Sequence, residues 1–203
     1  MDRSPDKAKD LLSKRRTRAI RKNKKEKQVT SGKKATRSTA AKMPVNSNSD
    51  RRRLEAIHLG DKLPDIILKN ELGEDVYIQK IAEEHPVVIF AYPKASTPGC
   101  TVQGCGFRDN YDTIVSKNYQ VYGLSMDSPK AQLNFKTMQN FPYHLLSDPR
   151  AELISFLGAS KSGLKTARSH WIFDKGGILS DMKIGVSPRD SVEQAMARIL
   201  ERD

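Results

Sequence analysis

The only two cysteines of this 203-residue chain lie five residues apart in PKASTPGCTVQGCG, residues 93–106. Thr97 is a good N-cap and Pro98 suits a first helical position. The stretch therefore predicts a helix from there to about Lys117, with Cys100 in its first turn. Unpaired N–H groups and the positive end of the helix dipole gather in such a turn, and both favour thiolate over thiol. A thiolate is a nucleophile that can be oxidised to sulfenic acid. Thr97 can set a hydroxyl beside the sulfur, and Gly99 allows close backbone approach. In an α-helix, Cys105 stands ~7.5 Å further along the axis and ~140° around it, a Cα separation of roughly 8.6 Å. A disulfide needs Cα atoms within about 4.4–6.8 Å, so an intact helix keeps the two sulfurs apart. Gly104 and Gly106 each weaken a helix by about 1 kcal/mol relative to Ala. The weak point thus falls at Cys105, the pattern expected of a switch that works by local unfolding.

On the residues alone other readings stay open. C-x4-C supplies two metal ligands, but His58, His85, His144 and His170 show no paired metal spacing. A thioredoxin-type dithiol would be C-x-x-C, which is absent. Two inert core cysteines are the plain alternative, because free Cys is often buried.

The elements that must hold these residues follow from the pattern. LPDIIL (63–68) and EDVYIQ (74–79) read as short strands separated by the turn residues Asn70 and Gly73. VVIFAY (87–92) reads as a strand buried on both faces. Strands are expected at 119–125 and 144–148, and helices from Ser128-Pro129 to about Asn140 and from Arg150 to Leu157, with Gly158 as C-cap. SHWIFD (169–174), a Gly-rich turn and ILSDMK (178–183) form a hairpin. Ser187-Pro188 opens a last helix. Alternating strands and helices imply an α/β layered sheet, and the hairpin adds an antiparallel edge.

Charge divides the chain. Residues 1–53 hold 19 basic and 5 acidic side chains, a net of +14, while the rest nets −2. The first 53 residues contain no aromatic side chain and are expected to be a disordered basic tail. Residues 54–203 are expected to be the folded domain. KRRTRAIRKNKKEK (14–27) and Arg51, Arg52 and Arg53 suggest nuclear localisation through an import receptor. Non-specific nucleic-acid contact is compatible with this charge. A mitochondrial transit peptide fits less well, since the tail is Lys-rich and carries Asp2, Asp6 and Asp10. No apolar run approaches the ~20 residues that span a bilayer. These features favour a soluble protein in a reducing compartment.

P-x-x-x-T-x-x-C, here Pro93, Thr97 and Cys100, resembles the peroxidatic motif of the peroxiredoxins. YPKASTPGCTVQGCGFRDNY resembles their bacterioferritin-comigratory, or Q-type, branch, over roughly residues 57–200. FPYHLLSDP (141–149) and the basic extension are most similar to fungal nuclear members. The resemblance implies a thioredoxin-like fold and reduction of hydrogen and alkyl hydroperoxides, recycled by thioredoxin with no metal, haem or flavin. It implies that Cys100 is peroxidatic, that Cys105 resolves it in an intramolecular disulfide, that Pro93 shields the sulfur and that Thr97 binds the peroxide. It also implies an arginine from a later strand beside the sulfur. Arg168 is the best match, ahead of Arg150, Arg189 and Arg108; Arg108 and Asp109 are expected to hold the helix in place. His170 and Trp171 are expected to be core residues without chemistry. An intramolecular pair needs no partner subunit, so a monomer is expected. The contrasting function is a redox-sensing chromatin or nucleic-acid-associated protein with little peroxidase turnover.

Overall fold

The computed structural model of the chain describes residues 56–162 and 165–201. The basic segment 1–53, with its expected disorder and targeting role, lies outside the described residues. In chain order the elements are β1 (Ile67–Asn70), β2 (Asp75–Tyr77), α1 (Ile78–Glu84), β3 (Val87–Ala91), α2 (Pro98–Asp109), α3 (Tyr111–Ser116), β4 (Gln120–Ser125) and α4 (Pro129–Gln139). They continue with β5 (His144–Ser147), α5 (Glu152–Phe156), β6 (Ser160–Lys161), β7 (Lys165–Thr166), β8 (Ser169–Asp174), β9 (Ile178–Ile184) and α6 (Pro188–Leu200).

A seven-stranded mixed sheet runs in the order β2-β1-β5-β4-β3-β8-β9. Strands β3, β4 and β5 are parallel, while β1 and β8 join them antiparallel on either side. The short β6–β7 pair stands apart. Every residue of β3 is buried, as its unbroken apolar run requires of a central strand covered on both faces. Ile89, Trp171 and Phe173 pack on one side of the sheet with Ile78 and Ala82 of α1 and Leu153 and Ile154 of α5. Val88, Phe90 and Ile172 pack on the other with Cys100 and Phe107 of α2, Phe135 of α4 and Ile199 of α6.

The two later helices begin as their Ser-Pro sequences specify. Ser128 Oγ accepts from Ala131 N–H and Ser187 Oγ from Asp190 N–H, each with Pro in the first turn. Elsewhere the structure corrects the sequence. The strand expected at 63–68 begins only at Ile67. Pro64 has no N–H to give a ladder, and before it the chain makes one isolated bridge, Lys62 with Ile178. The strand expected at 74–79 ends at Tyr77, and Ile78 starts α1. Ile78 and Ala82, one turn apart, bury a helical face there. The helix expected to reach Lys117 breaks at Asn110, whose Nδ2 donates to Gly106 O at 2.8 Å. The helix expected from Arg150 starts at Glu152, because Ala151 is left-handed (φ 54°) and Asp148 accepts the N–H groups of Glu152 and Ile154.

Candidate active site

The centre is built at the carboxyl end of β3, where the chain passes from Tyr92 through the loop 93–97 into α2. Ala95 N–H donates to Asp127 Oδ2 at 2.7 Å, and Ser125 Oγ donates to the same oxygen at 2.9 Å. The end of β4 thus ties down the loop that carries Pro93 and Thr97. Cys100 follows in the first turn of α2 and is 1% exposed.

Thr97 occupies the N-cap position, as expected, but its side chain does not cap the helix. Its Oγ1 donates to Lys94 O at 2.9 Å, while Thr97 O accepts Thr101 N–H at 2.8 Å. With its proton engaged, the hydroxyl oxygen keeps lone pairs for an O–H donor. Pro93 is exposed at the surface of the loop.

Arg168 reaches the centre from the residue before β8, 68 positions away in sequence. Its Nη2 lies 3.5 Å from Cys100 Sγ, and its Nη1 donates to Gln103 Oε1 at 2.7 Å. Its main-chain oxygen accepts Gly185 and Val186 N–H at 2.9 and 3.0 Å, which pins the base of the side chain. Gly99 leaves the room: a Cβ there would stand 3.1 Å from Arg168 Nη2. Arg150 pairs with Glu152 in solvent, and Arg189 is exposed. Arg108 donates to Gln139 O at 2.7 Å and pairs with Asp109, the structural duty expected of it.

Cys105 sits on the same unbroken helix but faces another neighbour. Its Sγ lies 3.5 Å from Gln139 Oε1 at the end of α4. Both thiols are free. Gly104 and Gly106 are contact points as well as weak points. A Cβ on Gly104 would come within 2.6 Å of the Phe141 ring, and one on Gly106 within 2.6 Å of Val192. Tyr143 Oη donates to Gly104 O at 2.7 Å.

Gln103 is the residue that sequence reasoning missed. It is fully buried and holds the guanidinium that faces the sulfur. Its position three residues after Cys100 puts it on the same helix face, which was a signal available beforehand. His170 is buried as expected, and burial lowers its pKa to about 4. The roughly 530 Å³ cavity near Ile57, Leu63, Gln79 and Phe156 includes none of these residues.

A layered sheet that presents one buried sulfur to a guanidinium at a helix start defines the class: this is a thiol peroxidase with a thioredoxin-like fold. More particularly, the AhpC/TSA family model matches residues 59–182, and the chain belongs to that family as a peroxiredoxin of the Q/Bcp branch. It is 55% identical over 149 residues to peroxiredoxin bcp1 of Schizosaccharomyces pombe, covering 72% of this chain and 76% of that one. It is 31% identical over 147 residues to peroxiredoxin Bcp of Bacillus subtilis, covering 69% and 93%. Among solved structures, peroxidoxin BcpB of Mycobacterium tuberculosis matches with a TM-score of 0.68 at 26% identity, covering 71% and 97%. The Xanthomonas campestris bacterioferritin comigratory protein, described for its alkyl peroxide reduction activity, matches with a TM-score of 0.66 at 25% identity, covering 71% and 98%.

Proposed function

We propose that the chain reduces hydrogen peroxide and alkyl hydroperoxides through Cys100 and returns to the thiol state through Cys105 and thioredoxin. The observation that carries this reading is Arg168 Nη2 at 3.5 Å from a cysteine sulfur in a helix's first turn. The Cys100 thiolate attacks one peroxide oxygen. An S–O bond forms, the O–O bond breaks, and the leaving oxygen takes a proton as water or alcohol, leaving the sulfenic acid. Thr97 Oγ1 accepts the peroxide O–H, and Arg168 meets the charge that grows on the oxygens. Helix α2 then unwinds far enough for Cys105 to attack the sulfenic sulfur, which releases water and forms the disulfide. A thioredoxin dithiol reduces that bridge by exchange. No step calls on a second copy of the chain, so the working unit is a monomer.

The test is peroxide-dependent NADPH consumption in the presence of thioredoxin and its reductase. Turnover with both peroxide classes is expected, and no turnover above background overturns the proposal. The basic segment 1–53 is proposed as a nuclear address read by an import receptor. Removing it should disperse a fluorescent fusion from the nucleus, and unchanged nuclear retention refutes that role. The +14 charge of that segment also favours a second reading, a nucleic-acid-associated redox sensor. It calls for salt-dependent DNA binding by the full chain that the truncated chain lacks, together with peroxide turnover near background.

A further inference from the structure

Behind Gln103 the polar contacts continue into a part of the core that the reaction itself does not touch. Gln103 Nε2 donates to Ser191 Oγ at 2.8 Å, and Ser191 Oγ lies 3.3 Å from His170 Nδ1. Gln103, Ser191 and His170 are all fully buried, away from bulk solvent. The members come from α2, α6 and β8 and are brought together only by the fold.

The directions of the first two bonds are forced. An amide has one accepting end and one donating end. Arg168 has only donors, so Gln103 must turn Oε1 toward it. That choice points Nε2 at Ser191, which must accept. The hydroxyl keeps its own proton to give onward, and His170 Nδ1, 3.3 Å away, receives it when the ring proton sits on Nε2. That tautomer belongs to the neutral ring, which burial favours by lowering the His170 pKa to about 4. His170 Nε2 itself has no hydrogen-bond partner among the described residues. Were the Gln103 amide to flip, its NH2 would face the guanidinium, donor against donor.

We propose that Ser191, with His170 behind it, is a positioning residue for the peroxidase reaction: it fixes the orientation of the Gln103 amide and thereby aims Arg168 at the Cys100 sulfur. The proposal rests on the reading of Cys100 as the peroxide-reactive group. Ser191 touches neither sulfur nor peroxide. It acts through two hydrogen bonds in series, and its loss frees Gln103 to rotate away from the one orientation that Arg168 accepts.

The experiment is a double-mutant cycle on the second-order rate of Cys100 oxidation by hydrogen peroxide in the full chain. Ser191→Ala should slow that step about ten-fold, the scale of one buried polar group left without its partner. Gln103→Glu supplies a new baseline, because both carboxylate oxygens accept and no orientation needs to be chosen. On that background Ser191→Ala should cost less than about two-fold. A merely structural Ser191 would cost the same factor in both backgrounds, and that result overturns the proposal, as does wild-type speed in Ser191→Ala. If Ser191→Ala does not fold, His170→Leu removes only the terminal acceptor and is read on the same two backgrounds. A loss of about three-fold with Gln103 present, absent with Glu, supports the proposal; equal factors overturn it. Cys100→Ser separates the two readings, since peroxide consumption surviving in it removes the underlying reaction rather than the relay.

Discussion

At the first turn of α2, Cys100 is 1% exposed and faces a guanidinium held by a buried amide. Five residues on, Cys105 is half-buried and faces one amide oxygen at 3.5 Å. The front of the helix is fixed by side-chain bonds to Arg168, just before β8, and to Ser191 of α6. The rear is fixed through its main chain and flank by Tyr143 on Gly104 O, Asn110 on Gly106 O and Arg108 on Gln139 O. Such bonds contribute on the order of 1 kcal/mol each, and two glycines lower the cost of unwinding there. One end is thus organised for charge at a sulfur, and the other is the part that the proposed mechanism requires to unwind.

Five outcomes would break or sharpen this contrast. On the proposed mechanism, Cys100→Ser should bring peroxide consumption to background in the coupled assay. Cys105→Ser should keep the first oxidation of Cys100 within about two-fold of wild type but form no intramolecular disulfide. Mass and thiol counting after one equivalent of peroxide check this; normal cycling would remove Cys105 from the resolving role. Arg168→Lys keeps the charge but loses the fork that serves Cys100 and Gln103 together. It should slow the first step about 100-fold, the scale of losing one preorganised donor, as followed by stopped flow. Tyr143→Phe removes the side-chain donor to Gly104 O and should weaken the rear of the helix by about 1 kcal/mol. Disulfide formation should then speed several-fold with the first oxidation unchanged; a slower first step would show that front and rear are one unit.

The last outcome concerns pH. His170 titrates at about 4 in the fold, held there by burial, with Asp181 and Lys183 acting in opposite senses. An open chain takes up that proton near pH 6.5. The unfolded state binds more protons between these values, so stability is fully present above about 6.5 and declines as pH falls toward 4. Glu71 follows at lower pH. Burial raises its pKa, but bonds from His144, Lys136 and Leu145 N–H outweigh burial and bring it to about 2. Its contribution is present above about 4.5 and is lost as pH falls toward 2. Denaturant midpoints across pH 3–8 check both, and a flat profile from 6.5 to 4 would contradict the buried, neutral His170.

What could be read in advance was what neighbours in sequence decide. VVIFAY became β3, and Ser128-Pro129 and Ser187-Pro188 became helix starts, because burial on both faces and capping are local properties. Cys100 and Pro98 fell in a first turn for the same reason. Thr97 misled because a hydroxyl can bond its own loop instead of the helix, here Lys94 O. Ile78 misled because β-branched residues also suit a short helix when they return at one-turn spacing. The partners of the sulfur were hidden by distance along the chain. Arg168 came forward only through family resemblance, and no local signal joins Gln103 to Ser191, 88 positions later. The glycines at 104 and 106 showed their flexibility in sequence but not the ring and the valine that need the space.

Trp171 is the chain's one tryptophan. It alternates along β8 with His170, so its indole packs with the cluster on the face of the sheet opposite Cys100. The protein consequently carries an optical gauge shielded from its own chemistry. On the proposed mechanism, emission from this indole should hold steady while α2 opens and closes, and change when the sheet itself comes apart, separating the motion of a catalytic cycle from the loss of the fold.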